Sequence, residues 1–133
     1  FKARVASTRE HLNTYNKIDL ALDTYPYNGT TTTCESLWMG IPCLTLKGSD
    51  EQSRVSASLL HQANLDQFVC PSVEHYVQLA TALARAPESL RRYRPSLRAH
   101  LTKTPLMDPA QIANELLSAT IERVAAHRRT DTP

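Results

Sequence analysis

Apolar residues change their spacing along the chain, and this change divides it into short strands and amphipathic helices. Two runs, 18–23 (IDLALD) and 42–46 (PCLTL), are largely apolar, as is typical of strands buried in a parallel sheet. The pattern predicts a third short strand at 66–70 and a weaker one at 2–6. Capping residues and helical spacing predict helices over 8–17, 31–40, 50–64, 72–85, 88–103 (with a kink at Pro95) and 109–128.

Strand and helix alternate before helices take over, which predicts an α/β fold with a parallel sheet. No repeat or low-complexity linker divides the sequence. We therefore expect one folded unit over residues 1–128 and a disordered tail over 129–133. The few short strands make only half of a doubly wound sheet, and the chain starts at Phe1 instead of methionine. We expect that preceding chain supplies the missing strands.

The segment between the first two apolar runs carries the most informative residues. An Asn28-Gly29 turn is followed by four threonines, Thr30–Thr33, which open the predicted helix over 31–40. In an open parallel sheet, ligands bind at the carboxyl ends of the strands, where this loop lies. The free amides and the dipole of a helix N-terminus attract phosphate, threonine hydroxyls add donors, and Gly29 allows close approach.

Two further side chains extend this hypothesis from a phosphate to a nucleotide. Glu35 lies one helical turn beyond the loop, where a carboxylate can accept two hydrogen bonds from a ribose diol. His11 lies on the first helix at the same edge of the sheet, where an imidazole can stack on a base. The alternative is that the threonines only cap the helix while Glu35 and His11 are solvated, and the residue pattern leaves both interpretations open.

Composition narrows the classes of function. The formal net charge of +2 is too small for an electrostatic nucleic-acid footprint. The sequence has no apolar run long enough to span a bilayer and shows no signal peptide, so we expect a cytoplasmic protein with no membrane partner. The three cysteines lack CxxC spacing and the five histidines form no ligand pattern. We therefore expect reduced thiols and no metal site.

Several segments together resemble the O-linked N-acetylglucosamine transferase family, which includes the plant SPINDLY O-fucosyltransferases and bacterial homologues with tetratricopeptide repeats. The resemblance rests on IDLALDTYPYNGTTTTCESLWMGIPCLTLKG, SRVSASLL, HYVQLATALA and SLRAHLTKTPLMD, and it runs from about residue 7 to residue 125. It implies a GT-B glycosyltransferase, of which this chain is the later half of the C-terminal Rossmann-like lobe.

The resemblance also implies roles for individual residues. His11 matches the family's base-stacking histidine, Thr31 and Thr32 match its diphosphate-binding threonines, and Glu35 matches a ribose-binding carboxylate that is aspartate in the animal enzyme. The same loop adds Asn28, Gly29 and Thr30 to the expected nucleotide-sugar site.

Two positions depart from the animal enzyme. Thr30 stands where that enzyme has a histidine that touches the donor, and Thr8 stands where it has a lysine that contacts uridine. With these departures, the resemblance defines the fold but leaves the nucleotide base of the donor open.

The implied activity is inverting transfer of a sugar from a nucleotide donor to a serine or threonine of an acceptor protein. The donor is UDP-N-acetylglucosamine or, as in the fucosyltransferase branch, GDP-fucose, with no further cofactor. We expect no catalytic base in this fragment, which should be inactive without an upstream catalytic lobe and tetratricopeptide repeats. A sugar-nucleotide epimerase and a non-catalytic interaction domain are the alternatives from other classes.

Overall fold

A computed structural model describes the backbone of residues 7–130 and the side chains of residues 7–127. Three parallel strands form its sheet in the order β1 (Ala21–Leu22), β2 (Cys43–Leu46) and β3 (Val69–Cys70). Ala21 is in register with Cys43, and Thr45 is in register with Val69. The predicted strand at 2–6 lies outside the described residues.

Within residues 7–130, seven helices surround or follow the sheet. They are α1 (Thr8–Asn13), α2 (Thr31–Trp38), α3 (Val55–Gln62), α4 (Val73–Arg85), α5 (Pro87–Arg91), α6 (Leu97–Leu101) and α7 (Pro109–Thr130). Short 3₁₀ turns occur at Thr14–Lys17, Glu51–Ser53, Asp66–Phe68 and Pro105–Met107. The predicted caps of α1 and α4 are present, since the side chains of Ser7 and Ser72 accept hydrogen bonds from the amides of Glu10 and His75.

The structure corrects several predicted boundaries. The strand predicted at 66–70 begins as a 3₁₀ turn and is extended only at β3. The kinked helix predicted over 88–103 is wrong, because the chain leaves α5 and turns through 92–96 before α6 begins. Pro95 lies inside that turn and has no amide to continue a helix.

The central strand β2 is buried on both faces, as its apolar sequence predicts. Helices α2, α3 and α4 all contact it, and Cys43, Leu44 and Thr45 are buried. The core continues through Leu37 of α2 and Leu60 of α3 to side chains of the later turns and helices, namely Phe68, Leu90, Leu97 and Leu101.

The segment 18–23 is less buried than predicted. Only Ala21 and Leu22 form a strand, and the Leu22 side chain is 58% exposed. The reason is its place in the sheet, since β1 has β2 on one side and no other neighbour among the strands of residues 7–130. A strand at such an edge lacks the cover that an apolar sequence usually receives.

Helix α7 does not pack on the sheet. Its main contact is with the preceding 3₁₀ turn Pro105–Met107. Its apolar side chains are exposed, namely Ile112, Leu116, Leu117, Ile121 and Val124. The helix extends to Thr130, two residues beyond its predicted end, and residues 131–133 lie outside the described part.

Gly40 makes the sharp turn from α2 into β2. Its φ is +81°, in the left-handed region that favours glycine. A Cβ atom at this position would lie only 2.6 Å from the carbonyl oxygen of Arg94. The guanidinium of Arg94 in turn donates to the carbonyl oxygen of Ile18 at 2.6 Å. Gly40 therefore lets the 92–96 turn pack against α2 and the entry to β1.

We predict that Gly40→Ala lowers the free energy of unfolding by at least about 1–2 kcal/mol. Alanine is unfavourable in the left-handed region, and its Cβ would clash with the backbone of Arg94. The shift of the urea denaturation midpoint of the intact protein measures this loss. Ser118→Ala, at an exposed position of α7, is the control and should leave the midpoint unchanged. A midpoint for Gly40→Ala equal to that of the control would contradict the assignment.

Candidate nucleotide-binding site

The threonine loop leaves the sheet at the carboxyl end of β1 and enters α2. The amide of Asp23, the first residue after β1, still donates to the carbonyl oxygen of Leu44 in β2 at 2.9 Å. The loop then passes through a cis peptide bond between Tyr25 and Pro26 and reaches the Asn28-Gly29 turn. This places the turn at the edge of the sheet where the sequence predicted it.

Asp23 fixes the loop from the strand side with both oxygens of its carboxylate. Oδ1 accepts hydrogen bonds from the amides of Gly29 (2.8 Å) and Thr24 (3.0 Å). Oδ2 accepts one from the hydroxyl of the buried Thr45 in β2 at 2.7 Å. One side chain therefore ties the turn to the central strand.

The other side of Gly29 is held by two helices. Its carbonyl oxygen accepts hydrogen bonds from Ser56 Oγ of α3 (2.8 Å) and Thr33 Oγ1 of α2 (3.0 Å). A Cβ atom on Gly29 would lie 2.9 Å from Thr33 Oγ1 and would also clash with Thr32 Oγ1. The closeness of these hydroxyls explains why glycine occupies the position.

Asn28 holds the loop through two hydrogen bonds, one from its backbone and one from its side chain. Its amide donates to the carbonyl oxygen of Gln52 at 2.9 Å, and its Nδ2 donates to the carbonyl oxygen of Thr24 at 3.0 Å. The side chain is 2% exposed, and its Oδ1 has no hydrogen-bond partner within the described part of the chain. Asn28 therefore shapes the turn from a buried position.

The threonines divide into two groups. Thr33 is buried and binds Gly29, whereas Thr30, Thr31 and Thr32 are exposed. Thr30 is the N-cap residue of α2 but makes no side-chain capping hydrogen bond, and the first turn of α2 contains no acidic residue. The amides of Thr31 and Thr32 have no backbone acceptor among residues 7–130. The helix N-terminus thus presents unpaired donors, and a capping role does not account for the exposed hydroxyls.

The structure brings His11 and Glu35 into direct contact. His11 Nε2 lies 2.8 Å from Glu35 Oε2, and the two side chains are 42% and 25% exposed. Tyr15 joins them, since its hydroxyl lies 3.2 Å from the same Oε2 and its ring meets the His11 ring edge-on at 5.9 Å. Both donors converge on Oε2, and Oε1 has no hydrogen-bond partner among residues 7–127.

Two side chains near Glu35, Tyr15 and Cys34, have raised pKa values. Burial first, and then the Glu35 carboxylate, raise the pKa of Tyr15 to about 12, so its hydroxyl keeps its proton at neutral pH. Burial and Glu35 likewise raise the pKa of the Cys34 thiol above its usual value. The three cysteines form no disulfide in the structure.

Sequence reasoning missed Asp23, Ser56 and Tyr15. Tyr15 follows His11 by four residues, the spacing that places two side chains on one face of a helix, and this signal could have found it. Asp23 ends the predicted strand, but its partners depend on the register of β2. The hydroxyl of Ser56 meets Gly29 only because α3 folds back over α2.

Among the described residues, no three His, Cys, Asp or Glu side chains lie close enough together to hold a metal ion. Nor does any helix in the described part have the length and apolar character needed to cross a bilayer.

A parallel sheet with helices packed on it, and a glycine turn leading into a helix at its carboxyl edge, defines a Rossmann-like α/β lobe. The chain belongs to glycosyl transferase family 41, whose model matches residues 1–116. A solved structure of a Thermobaculum terrenum O-GlcNAc transferase mutant aligns with a TM-score of 0.69 and 41% identity, covering 92% of this chain and 22% of that one. The fold is therefore that of the C-terminal region of a GT-B glycosyltransferase, as the sequence predicted.

Curated relatives carry related names. Two plant relatives are described as probable UDP-N-acetylglucosamine–peptide N-acetylglucosaminyltransferase SPINDLY. The one from Petunia hybrida is 46% identical over 82% of this chain, and the one from Oryza sativa subsp. japonica is 44% identical over 83% of it. A UDP-N-acetylglucosamine–peptide N-acetylglucosaminyltransferase of Caenorhabditis elegans is 29% identical over 86% of it. The chain spans 12% of the length of each plant relative and 10% of the nematode one.

We predict that Asp23→Ala lowers the free energy of unfolding by about 1–3 kcal/mol, because it leaves the donors of Gly29, Thr24 and Thr45 without their acceptor. Asp23→Asn should recover most of the loss, since its carbonyl oxygen serves the amides and its NH2 can donate to Thr45.

Urea denaturation of the wild-type protein and both variants measures the effect. Asp66→Ala is the matched control, because it removes an exposed pair with His61 and should cost less than about 1 kcal/mol. If Asp23→Ala cost no more than this control, Asp23 would not hold the loop.

Proposed function

We propose that this chain forms the donor-binding part of a protein O-glycosyltransferase that uses UDP-N-acetylglucosamine and modifies serine or threonine of acceptor proteins. The observation that carries the proposal is the layout of α2 in a family 41 chain. Its first turn presents unpaired amides and hydroxyls, and one turn further along it presents Glu35, held by His11. The names of the curated relatives support the choice of donor.

The diphosphate of the donor binds at the start of α2. Thr31 and Thr32 offer both amide and hydroxyl donors, Thr30 adds a third hydroxyl, and the helix dipole favours negative charge at this end. Gly29 and Asn28 set the path of the backbone, so that these donors point outward without reorganising when the ligand arrives.

The nucleoside lies towards α1. The Glu35 carboxylate accepts hydrogen bonds from the ribose diol, for which Oε1 is available. His11 is partly exposed, so its ring can contact the base while its Nε2 holds Glu35. His11 then contacts the base and also orients the carboxylate that accepts hydrogen bonds from the ribose.

The chemical contribution of this site is to stabilise the leaving nucleoside diphosphate. Negative charge grows on the diphosphate as the bond to the sugar breaks, and fixed amides and hydroxyls stabilise it more in the transition state than in the bound donor. In this proposal the attacking hydroxyl belongs to the acceptor protein, and the group that takes its proton comes from an upstream catalytic lobe. Tetratricopeptide repeats of the same protein contact the acceptor. The 133 residues alone are then inactive.

The experiment that tests the donor uses the intact protein. Isothermal titration calorimetry with UDP and GDP, followed by transfer assays with labelled UDP-N-acetylglucosamine and GDP-fucose, should show binding of UDP and transfer of N-acetylglucosamine. Binding of GDP with transfer of fucose would show that the donor is GDP-fucose, bound at the same site. Binding of neither nucleotide would favour a non-catalytic interaction domain. The family match gives no support to the epimerase alternative.

We predict that Thr31→Val and Thr32→Val each weaken binding of UDP by about 10- to 100-fold, because each loses a hydrogen bond to a charged oxygen worth roughly 1.5–3 kcal/mol. Calorimetry measures the affinity, and the melting temperature should change little because neither side chain is buried. Thr120→Val, at an exposed position of α7, is the matched control. If both variants bound UDP like the control, the threonines would not contact the diphosphate.

A further inference from the structure

Tyr15 belongs to the 3₁₀ turn Thr14–Lys17 and lies beside the His11 and Glu35 side chains of the candidate site. Its side chain is buried, with the residue 8% exposed, and its hydroxyl points at two acceptors of α2. One is Glu35 Oε2 at 3.2 Å, and the other is the carbonyl oxygen of Thr32 at 3.3 Å. The hydroxyl therefore lies between the phosphate end and the ribose end of the site.

We propose that Tyr15 is a positioning residue that fixes the Glu35 carboxylate and thereby determines how strongly the site recognises the ribose diol of its nucleotide. This inference rests on the proposed function, because it assumes that a nucleotide binds here with its ribose at Glu35.

The geometry of the carboxylate supports the proposal. A glutamate side chain has several rotatable bonds, and ordering it when the ligand binds reduces affinity. In this site His11 Nε2 and the Tyr15 hydroxyl both reach Oε2, which fixes the plane of the carboxylate before any ligand arrives. Oε1 is thereby turned to a defined position with free acceptor capacity.

Of the two donors, Tyr15 is the better anchor. The His11 side chain is 42% exposed, so its position depends on what covers it. Tyr15 is packed in the interior, and its carbonyl oxygen accepts a hydrogen bond from the Arg94 guanidinium at 3.3 Å. That guanidinium also donates to the carbonyl oxygen of Ile18. The turn that carries Tyr15 is therefore tied to the 92–96 turn.

The chemistry of the hydroxyl is suited to this role. The pKa of Tyr15 is raised to about 12, chiefly by burial and then by Glu35 itself, so the group donates throughout the neutral range. A neutral donor orients the carboxylate without cancelling its charge, which leaves Glu35 able to accept from the ribose hydroxyls.

The test compares UDP with 2′,3′-dideoxy-UDP, which lacks the diol but keeps the base and both phosphates. In the intact wild-type protein, calorimetry should show that UDP binds more tightly. Tyr15→Phe removes one oxygen and keeps the buried ring. We expect it to weaken UDP about tenfold and to leave dideoxy-UDP within about twofold of its wild-type affinity. Replacing Tyr15 with para-aminophenylalanine restores an N–H donor and should recover most of the discrimination.

Tyr93→Phe is the matched control. The Tyr93 hydroxyl accepts a long hydrogen bond (3.4 Å) from Gln67 away from the loop, so its loss should change neither affinity. Equal weakening of UDP and dideoxy-UDP by Tyr15→Phe would show a merely structural role and overturn the inference, as would unchanged discrimination. Failure of the aminophenylalanine variant to recover discrimination would also count against it. If the wild-type protein bound neither nucleotide, the proposed function itself would fail.

Discussion

The position of the Gly29 backbone is the constraint on which the rest of the site depends. Its amide is held by Asp23, which follows β1, and its carbonyl oxygen is held by hydroxyls from α2 and α3. Asp23 is itself bound to Thr45 of the buried central strand. Because these partners belong to different elements, the shape of the loop depends on the sheet and on the helices packed against it.

This arrangement determines what α2 presents to a ligand. The hydrogen bonds on Gly29 fix the direction in which the helix begins, and Thr33 takes part in them while its neighbours remain exposed. The exposed start of the helix then offers neutral donors with no acidic residue in the first turn. Glu35, one turn later, faces α1 and the 3₁₀ turn that follows it, where His11 and Tyr15 meet it. The two ends of the site are thus parts of a single helix.

Much of the fold could be predicted because its signals are local. The helix predicted at 72–85 is observed as Val73–Arg85, since both its serine cap and its apolar spacing lie within the segment. Strand β1 was predicted over 18–23 but is observed only at Ala21–Leu22. Its extent depends on pairing with β2 and not on its own apolar residues. The turn over 92–96 depends on its packing against Gly40, a contact that no local pattern contains.

In the candidate site, too, local sequence signals could be recognised, whereas contacts between distant residues could not. The Asn-Gly turn and the threonine run point to the loop from composition alone. The contacts that hold it join residues far apart in sequence, such as His11 with Glu35, 24 positions away, and Ser56 with Gly29, 27 positions away. The residues proposed to bind the ligand form a recognisable motif, whereas the residues that hold them are dispersed along the sequence and form none.

The pair of hydroxyls on the Gly29 carbonyl oxygen also bears on how this chain tolerates mutation. Ser56 and Thr33 lie 3.0 Å from one another and donate to one acceptor, so either alone can satisfy it. Redundancy of this kind lets one position drift over evolutionary time while the other preserves the backbone. Asp23 has no such substitute on the amide side, so the two halves of the same turn differ in their robustness to random change.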